Sequence, residues 1–348
     1  MKALRLDDWM TFSYVDVPAP FVGDGDALIA VRACGICGSD IHGFDGTSGR
    51  RMPPLIMGHE ASGVVVEVGR GAGSWRVGDR VAFDSTIFCG ACPACLEGRS
   101  NLCEQRAVLG SSFQGNRHDG AFAELVAVPG RGLVSLPDEL TFERAAFAEP
   151  LSVALHAVAL AGDFAGKTVA VVGTGVIGLL VVQALRVAGA GRVLAVDLDP
   201  KRLEIARGFG ADATFLADDE EVERRVFAAT GGRGADAVIE AVGVSAAIRT
   251  AIGCARRGGR IVLIGNITPT VEIPLQVVVT GELILVGACA SAGEIGRGVE
   301  LLAGGEIEVD PLTSVVAPLA DGPQWFERLH AAPPGLLKVI LTPPNGAI

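Results

Sequence analysis

The stretch of residues 167–197, KTVAVVGTGVIGLLVVQALRVAGAGRVLAVD, constrains the fold more than any other part of the sequence. Its first apolar run, residues 168–172, is rich in β-branched side chains and is typical of a strand buried on both faces. A long apolar segment over residues 176–188 follows, and a second β-branched run over residues 192–196 ends in Asp197. This order predicts a strand, a helix and a parallel second strand, which together form one βαβ unit.

Three glycines between the predicted strand and helix have the spacing G-x-G-x-x-G. In a dinucleotide-binding turn the first permits the tight bend, the second admits a pyrophosphate and the third lets the helix pack closely on the strand. The same glycines also occur in βαβ units that bind nothing, but here an acidic residue follows after about 20 residues, as the fingerprint requires. That acid, Asp197, accepts hydrogen bonds from ribose hydroxyls and repels a 2′-phosphate, so the sequence predicts NAD rather than NADP. The predicted dinucleotide contacts in this unit are Gly173, Gly175, Val176, Ile177, Gly178 and Asp197.

A length of 348 residues exceeds one typical core and predicts two domains. Hydrophobic residues make up 49% of the chain and charged residues 20%, which suits a globular enzyme with a large core. The formal net charge of −11 argues against a nucleic-acid partner or an anionic membrane surface. No uninterrupted apolar run reaches transmembrane length and residues 1–20 lack a signal-peptide pattern, so we expect a cytoplasmic protein.

The pattern of apolar runs, glycine and proline changes near residue 150. Before it, short Val- and Ile-rich runs separated by Gly and Pro predict an irregular β-barrel, with strands at 27–33, 63–68 and 80–83. After it, strands and helices alternate, which indicates a doubly wound parallel sheet of the α/β class. A helix over 293–303 and a strand over 337–341 then return the tail to the first domain. The other predicted elements are helices 201–209, 219–229 and 245–255 and strands 235–241, 260–265 and 283–287.

Four of the eight cysteines are spaced C-x2-C-x2-C-x7-C within one glycine- and proline-containing loop. In a chain without an export signal, clustered cysteines stay reduced and are typical of metal ligands. Four thiolates at this spacing can complete a tetrahedral shell around Zn²⁺ and leave no open coordination position, which indicates a structural site. An iron–sulfur cluster uses the same four ligands and is the alternative. The predicted ligands are Cys89, Cys92, Cys95 and Cys103.

A second group of metal-binding residue types lies in the segments CGICGSDIH, residues 34–42, and GHE, residues 58–60. Thiolate, imidazole and carboxylate are the ligands that Zn²⁺ takes, and a catalytic site uses three of them and keeps one position open. Cys34 and Cys37 form a C-x-x-C pair that could be half of a closed structural site. Because only His59 and Glu60 are available to complete that pair, an open site fits better.

These motifs resemble those of the zinc-dependent medium-chain alcohol and polyol dehydrogenases, in the branch that holds the sorbitol, 2,3-butanediol, threonine and galactitol-1-phosphate enzymes. The resemblance covers the whole chain. It implies a GroES-like irregular β-barrel catalytic domain, residues 1–150 and 288–348, and an NAD-binding Rossmann domain, residues 151–287. It also implies NAD, one catalytic and one structural Zn²⁺ per chain, a small alcohol substrate and a homotetramer or homodimer.

The resemblance assigns metal ligands residue by residue. The cysteine of G-I-C-G-[ST]-D is Cys37 and the histidine of G-H-E is His59. Glu60 is similar to the carboxylate that ligates zinc, or swings in and out of its shell, in the polyol branch. Glu149, in AEPLSVALH, stands where that branch has a carboxylate close to zinc and its water. By the same match Cys34 is a small buried residue and not a ligand.

The same resemblance implies a proton relay, because hydride leaves a carbinol carbon easily only after the hydroxyl proton has gone. The proton passes from the Ser39 hydroxyl through the cofactor ribose to the imidazole of His42, while Asp40 braces the loop. Ser39 and His42 would otherwise be ordinary turn and surface residues. In the Rossmann domain, Arg202 would lie along the adenosine ribose, or be a solvated helix charge. Residues expected beside the nicotinamide, at strand C-termini, are Gly243, Gly265 and Asn266.

The sequence departs from sorbitol dehydrogenase where the substrate binds. An aromatic residue is replaced by Gly43 and an Arg-Tyr pair by Ala290-Ser291, which removes hydrogen-bond donors and adds room. We therefore expect oxidation of a secondary alcohol of a polyol, cyclitol or sugar derivative to the ketone. The alternatives are a zinc-free quinone or enone reductase of the same fold, and a non-catalytic NAD-binding protein. Three arginines, otherwise exposed structural residues, are candidates for contact with a substrate phosphate: Arg50, Arg51 and Arg117.

Overall fold

In a computed structural model, residues 1–112 and 115–344 are described, and residues 345–348 of the predicted catalytic domain lie outside them. Contacts group the chain into two compact units. The first comprises Met1–Ser152, Ser291–Gly305 and Val309–Ile348, and the second comprises Val153–Ala290 and Glu306–Glu308.

The described part of the chain contains both strands and helices, numbered here along the sequence. The strands are β1 (Lys2–Asp8), β2 (Thr11–Asp16), β3 (Asp26–Gly35), β4 (Leu55–Ile56), β5 (Glu60–Val68), β6 (Arg80–Phe83), β7 (Thr86–Ile87), β8 (Ala107–Val108), β9 (Leu125–Pro129), β10 (Leu133–Ser135), β11 (Thr168–Val172), β12 (Arg192–Asp197), β13 (Ala213–Leu216), β14 (Ala235–Glu240), β15 (Ala255–Leu263), β16 (Ile284–Gly287), β17 (Thr313–Pro318) and β18 (Lys338–Thr342). The helices are α1 (Gly38–Phe44), α2 (Pro93–Leu96), α3 (Phe142–Ala145), α4 (Ala148–Ala161), α5 (Val176–Val187), α6 (Pro200–Gly208), α7 (Val222–Ala229), α8 (Ser245–Cys254), α9 (Leu275–Thr280), α10 (Ile295–Ala303) and α11 (Gly322–His330).

The first unit is built around a mixed sheet in the order β10-β6-β5-β3-β18-β17, with β9 also paired to β3. A three-stranded sheet, β2-β1-β4, and a two-stranded sheet, β7-β8, complete it. In the mixed sheet β18, near the end of the described chain, pairs with β3. Four phenylalanines, Phe44, Phe83, Phe122 and Phe326, are fully buried in the core of this unit among aliphatic side chains. The irregular barrel predicted for this part of the chain is therefore formed by many short strands around one apolar core.

The second unit is a six-stranded sheet with every strand parallel to its neighbours, in the order β13-β12-β11-β14-β15-β16. This is the doubly wound arrangement that was predicted, and its strand order reverses between β11 and β14, where such sheets bind ligands. The βαβ unit lies within one residue of its predicted bounds, with Asp197 as the last residue of β12. Two bounds in this unit were wrong: β15 begins at Ala255 and not at residue 260, and α7 begins at Val222 and not at residue 219. Two of its elements, β13 and α9, were not predicted.

Within residues 1–112 and 115–344, one helical stretch, Phe142–Ala161, is long and apolar enough to cross a membrane. Its most apolar window is 61% buried inside the fold. Core helices of water-soluble proteins meet the same criteria of length and composition, so this stretch is weak evidence for a membrane span.

The three glycines of the turn between β11 and α5 are not equivalent. Gly173 has a φ of 90°, which only glycine adopts without strain. A Cβ at Gly178 would overlap the carbonyl oxygen of Gly173, so the helix rests against the strand through this glycine. A Cβ at Gly175 would meet no atom within 4 Å, which leaves open space beside the N-terminus of α5. A phosphate can therefore approach backbone N–H groups at this position.

We expect Gly178→Ala to destabilise the protein by about 1–3 kcal/mol, because the added methyl group must push α5 away from the strand. Gly175→Ala is the matched control, since its methyl group enters open space and it should cost only the roughly 0.5–1 kcal/mol lost when alanine replaces glycine at a helix N-cap. The measurement is urea unfolding of both variants without cofactor. Equal stability of the two variants would contradict this account of the turn.

Candidate active site

The first candidate metal group is built where β3 gives way to α1. Cys37 is the residue that caps α1, and its Sγ accepts the backbone N–H of Ser39 at 3.5 Å. The Cys37 N–H in turn donates to Oδ2 of Asp40 at 3.1 Å, which completes a reciprocal cap. These two bonds fix the position of the Cys37 sulfur at the N-terminus of α1. The fold therefore presents Cys37 as a good metal ligand.

Cys37, His59 and Glu60 form one group whose ligand atoms all lie within 4.8 Å of one another. His59 is 6% exposed and Glu60 is 1% exposed. They follow Gly58, whose φ of 96° bends the chain immediately before β5. One sulfur, one nitrogen and one carboxylate oxygen match the donor set of a three-ligand zinc site. Glu149 is not a member of this group.

Asp40 connects two of the neighbouring side chains. Its fully buried Oδ1 lies 3.4 Å from Nδ1 of His59 and 3.1 Å from Nη2 of Arg51. Burial alone would raise the pKa of Asp40, but His59 and Arg51 lower it to about 2. The pKa of His59 is held above its usual range by the Asp40 and Cys37 charges, against the opposing effect of burial. A carboxylate behind a metal-binding imidazole fixes the orientation of the ring.

Glu60 is held by a lysine that the sequence did not single out. Nζ of Lys338 lies 2.5 Å from Oε2 of Glu60 and 3.1 Å from the carbonyl oxygen of Ile36. Lys338 is 3% exposed, and although burial opposes its charge, Glu60 and Cys37 raise its pKa. Gly35 pairs with Glu60 across β3 and β5, and a Cβ there would overlap Oε2 of Glu60. A single lysine within the apolar run LLKVIL was the one available signal.

Glu149 lies in the first turn of α4 and is bonded to a serine that the sequence also did not single out. Ser85 Oγ donates to Oε1 of Glu149 at 2.8 Å. Burial is the main cause that raises the pKa of Glu149 to about 7; the charges of Glu60 and Asp84 act in the same direction and His59 opposes them. These charges place Glu149 in the electrostatic environment of the Cys37, His59 and Glu60 group.

The two residues of the predicted relay have different partners. Ser39 Oγ accepts a hydrogen bond from Nη2 of Arg51 at 3.0 Å. Nδ1 of His42 lies 3.4 Å from Oγ1 of Thr47. Arg51 was expected to be exposed, and this was wrong, since it is 6% exposed and bound to Asp40 and Ser39. The prediction failed because nothing in the local sequence marks the buried carboxylate that neutralises the guanidinium.

The four remaining predicted ligands, Cys89, Cys92, Cys95 and Cys103, form a second group with their sulfur atoms within 4.8 Å of one another. Backbone N–H groups point at these sulfurs. Cys89 Sγ accepts from Ala91 and Cys92 at 3.4 and 3.3 Å, and Cys103 Sγ accepts from Cys89 and Gln105 at 3.3 Å each. The N–H groups of Ala91 and Cys92 lower the pKa of Cys89 to about 6. Sulfurs supported in this way are suited to act as thiolate ligands of one metal ion.

In the second unit, both carboxylate oxygens of Asp197 accept backbone N–H groups. Thr174 N–H donates to Oδ2 at 2.5 Å and Asp199 N–H donates to Oδ1 at 2.8 Å. These bonds fix the acid at the end of β12, beside the glycine turn. Nε of Arg202 lies 3.8 Å from Oδ2 of Asp199, so Arg202 forms its ion pair with Asp199.

Gly243 and Gly265 follow β14 and β15 and touch each other through their backbones. A Cβ at Gly243 would overlap the loop at Gly265 and Asn266, and a Cβ at Gly265 would overlap Gly243. Both glycines are therefore required for the close approach of the two loops at the C-terminal edge of the sheet.

Comparison with known proteins identifies both halves of the chain. Residues 23–138 match the alcohol dehydrogenase GroES-like domain, and residues 176–303 match the zinc-binding dehydrogenase family. The chain is 34% identical to a sorbitol dehydrogenase from Bacillus subtilis, with 99% of this chain and 97% of that protein covered.

Two solved structures are similar over nearly the whole length. An alcohol dehydrogenase from Thermus sp. ATN1 superposes with a TM-score of 0.91 at 34% identity, covering 99% of this chain and 100% of that one. A structure described as a putative zinc-binding dehydrogenase from Sinorhizobium meliloti 1021, bound to NADP, superposes with a TM-score of 0.88 at 36% identity. It covers 98% of this chain and 99% of that one. This chain belongs to the zinc-dependent medium-chain alcohol and polyol dehydrogenase family.

Proposed function

We propose that the protein catalyses the reversible, zinc- and NAD-dependent oxidation of a secondary alcohol of a polyol, cyclitol or sugar derivative to the ketone. The observation that carries this proposal is the group of Cys37, His59 and Glu60, a three-ligand donor set with Ser39 next to its cysteine. A zinc-free reductase of this fold needs neither metal group. A non-catalytic NAD-binding protein has no need of an incomplete ligand shell.

Cys37, His59 and Glu60 would hold the catalytic Zn²⁺, with Glu149 in or next to its shell, and the four-cysteine group would hold a structural Zn²⁺. When bound, the catalytic ion supplies Lewis acidity that lowers the pKa of an alcohol, and NAD accepts the hydride. Ser39 accepts the hydroxyl proton and His42 releases it to solvent. The Asp40 carboxylate, 3.4 Å from Nδ1 of His59, would favour the ring orientation that presents the other nitrogen to the metal.

The substrate class follows from two positions. Sorbitol dehydrogenase has aromatic and arginine side chains for the substrate hydroxyls at these positions. This chain has Gly43 and Ala290-Ser291 there, which offer neither. The space beside Gly43 is nevertheless filled, because Arg51 occupies it, so the expectation of added room at that position was wrong. Arg51 is also neutralised by Asp40, which removes it from the three candidates for contact with a substrate phosphate.

We further propose that the two units are the predicted domains, with boundaries near residues 150 and 287, and that the protein is a cytoplasmic homodimer or homotetramer. The edge of the parallel sheet supports self-association. There, Ile284 of β16 is 47% exposed, and Leu275 and Val279 of α9 are 62% and 65% exposed. An apolar sheet edge of this kind is normally covered by a partner.

The function is tested by incubating zinc-loaded protein and NAD with polyols, inositols, amino alcohols and sugar phosphates. We expect NADH formation with at least one secondary alcohol that carries neighbouring hydroxyl groups. No NADH from any member of such a panel would contradict the proposed function and favour a non-catalytic protein.

The preference for NAD is tested at Asp197. We expect Asp197→Asn to lower the KM for NADP about tenfold or more, because the carboxylate no longer repels a 2′-phosphate. Asp199→Asn is the matched control, since it removes a nearby charge and retains an oxygen for its bond to the Lys201 N–H. An unchanged ratio of NAD to NADP use in Asp197→Asn would show that the acid does not select the cofactor.

A further inference from the structure

Arg51 lies across the inner face of α1, in space that exists because residue 43 is glycine. A Cβ at Gly43 would overlap Cδ of Arg51, and would lie 3.1 Å from its Cβ and Cγ. Gly43 is buried within the helix and Arg51 is 6% exposed. The glycine and the arginine are therefore structurally linked, and no larger side chain at position 43 is compatible with this position of the guanidinium.

The guanidinium contacts two neighbouring residues of α1. Nη2 donates to Oγ of Ser39 at 3.0 Å, and Nε donates to Oδ1 of Asp40 at 3.2 Å. Asp40 is fully buried and neutralises the positive charge. Because its charge is already paired, Arg51 is not a binding site for an anionic substrate. Its hydrogen bond to Ser39 connects Arg51 to a residue of the predicted proton relay.

A guanidinium has only donors and keeps its proton at any pH that proteins tolerate. Ser39 Oγ, in contrast, has one proton and two lone pairs. The bond from Arg51 occupies one lone pair permanently. The hydroxyl is left with one lone pair to accept a proton and one proton to donate, which are the two functions that a relay requires.

We propose that Arg51 is a positioning residue that orients the Ser39 hydroxyl for proton transfer and stabilises negative charge on its oxygen. This inference rests on the proposed function. During oxidation, Ser39 Oγ takes the proton of the substrate hydroxyl while its own proton leaves to the next group of the relay. The serine is unchanged at the end, no electron passes through it, and the guanidinium attracts the oxygen while the two transfers are incomplete.

Arg51→Ala should lower kcat by about tenfold to a hundredfold, the range expected when a charge-assisted hydrogen bond is lost, with a much smaller change in KM. Arg51→Lys should recover part of the loss, because it keeps the charge but not the planar fork. Gly43→Ala should lower kcat in the same way, because its methyl group displaces Arg51 while the arginine stays in the sequence. Arg70→Ala is the control, an arginine 86% exposed in a surface pair with Asp24, and should leave kcat unchanged.

The decisive measurement is a double-mutant cycle between Ser39 and Arg51 in zinc-loaded protein. If Arg51 acts through Ser39, Arg51→Ala costs little or nothing in a Ser39→Ala background. If the losses in kcat of the two single variants multiply in the double variant, and Arg51→Ala also lowers the zinc content, Arg51 acts through Asp40 and His59. The inference is then wrong. Wild-type protein that oxidises no alcohol overturns the proposed function and this inference with it. Active wild-type protein whose kcat is unchanged by Arg51→Ala and Gly43→Ala overturns the inference alone.

Discussion

Cys37→Ser is expected to remove one zinc ion per chain and to lower turnover by a factor on the order of a thousand or more. A serine hydroxyl does not ionise near neutral pH and is a poor ligand for Zn²⁺, whereas the thiolate at the start of α1 is a strong one. The metal supplies several kcal/mol of charge stabilisation to an alcohol that must lose its proton, and that stabilisation disappears with the ion. Elemental analysis and NADH formation on the same preparation measure both effects.

The matched control is Cys34→Ala. Cys34 is three residues away, is fully buried, and is not a member of either metal group among the described residues. This variant should keep both zinc ions and its turnover, although loss of packing will lower its stability. Cys103→Ser should instead lose the other zinc ion and destabilise the loop. Two zinc ions per chain in Cys37→Ser would contradict the ligand assignment.

Lys338→Met is expected to destabilise metal-free protein by about 3–5 kcal/mol, because it leaves the Glu60 carboxylate buried without its cation. The loss should be smaller in zinc-loaded protein, since the metal then supplies a positive partner for the same carboxylate. Urea unfolding with a chelator and with excess zinc measures the two values.

The control for the lysine is Lys2→Met, which removes the same side chain from an ion pair with Asp16. That pair has an N–O distance of 2.7 Å, but its side chains are 41% and 76% exposed. Surface pairs contribute about 0–1 kcal/mol, so this variant should change stability little, with or without zinc. An equal loss for Lys338→Met in both metal states would mean that Glu60 does not face the metal.

Features that depend on short spacings were predictable from the sequence. The turn from β11 to α5, the acid at the end of β12 and both metal groups are defined by residues few positions apart, or by short motifs. The alternation of strands and helices also predicted the parallel sheet, because a crossover helix is what joins parallel strands. The start of β15 was missed because tertiary contacts hold its arginine and glycine residues 256–259 in a strand. The start of α7 was placed too early because residues 219–221 form a turn before the helix begins.

Features that depend on partners distant in sequence were not predictable. Lys338 and Glu60 are 278 positions apart, and only the pairing of β18 with β3 brings them together. Arg51 was misjudged for a similar reason, since its burial depends on a glycine in α1 and a carboxylate that α1 turns inward. The only local signals were a lone charge in an apolar run and Gly43, where the sorbitol dehydrogenase pattern has an aromatic side chain.

The central claim is that alcohol oxidation depends on a metal ion held by Cys37, His59 and Glu60. The most direct test follows zinc content and NADH formation together while a chelator removes metal and zinc is then restored. We expect turnover to fall in step with loss of one zinc ion per chain, Cys37→Ser to behave like the depleted protein, and added zinc to restore only the wild type. Full turnover in protein whose Cys37 group holds no metal would contradict it.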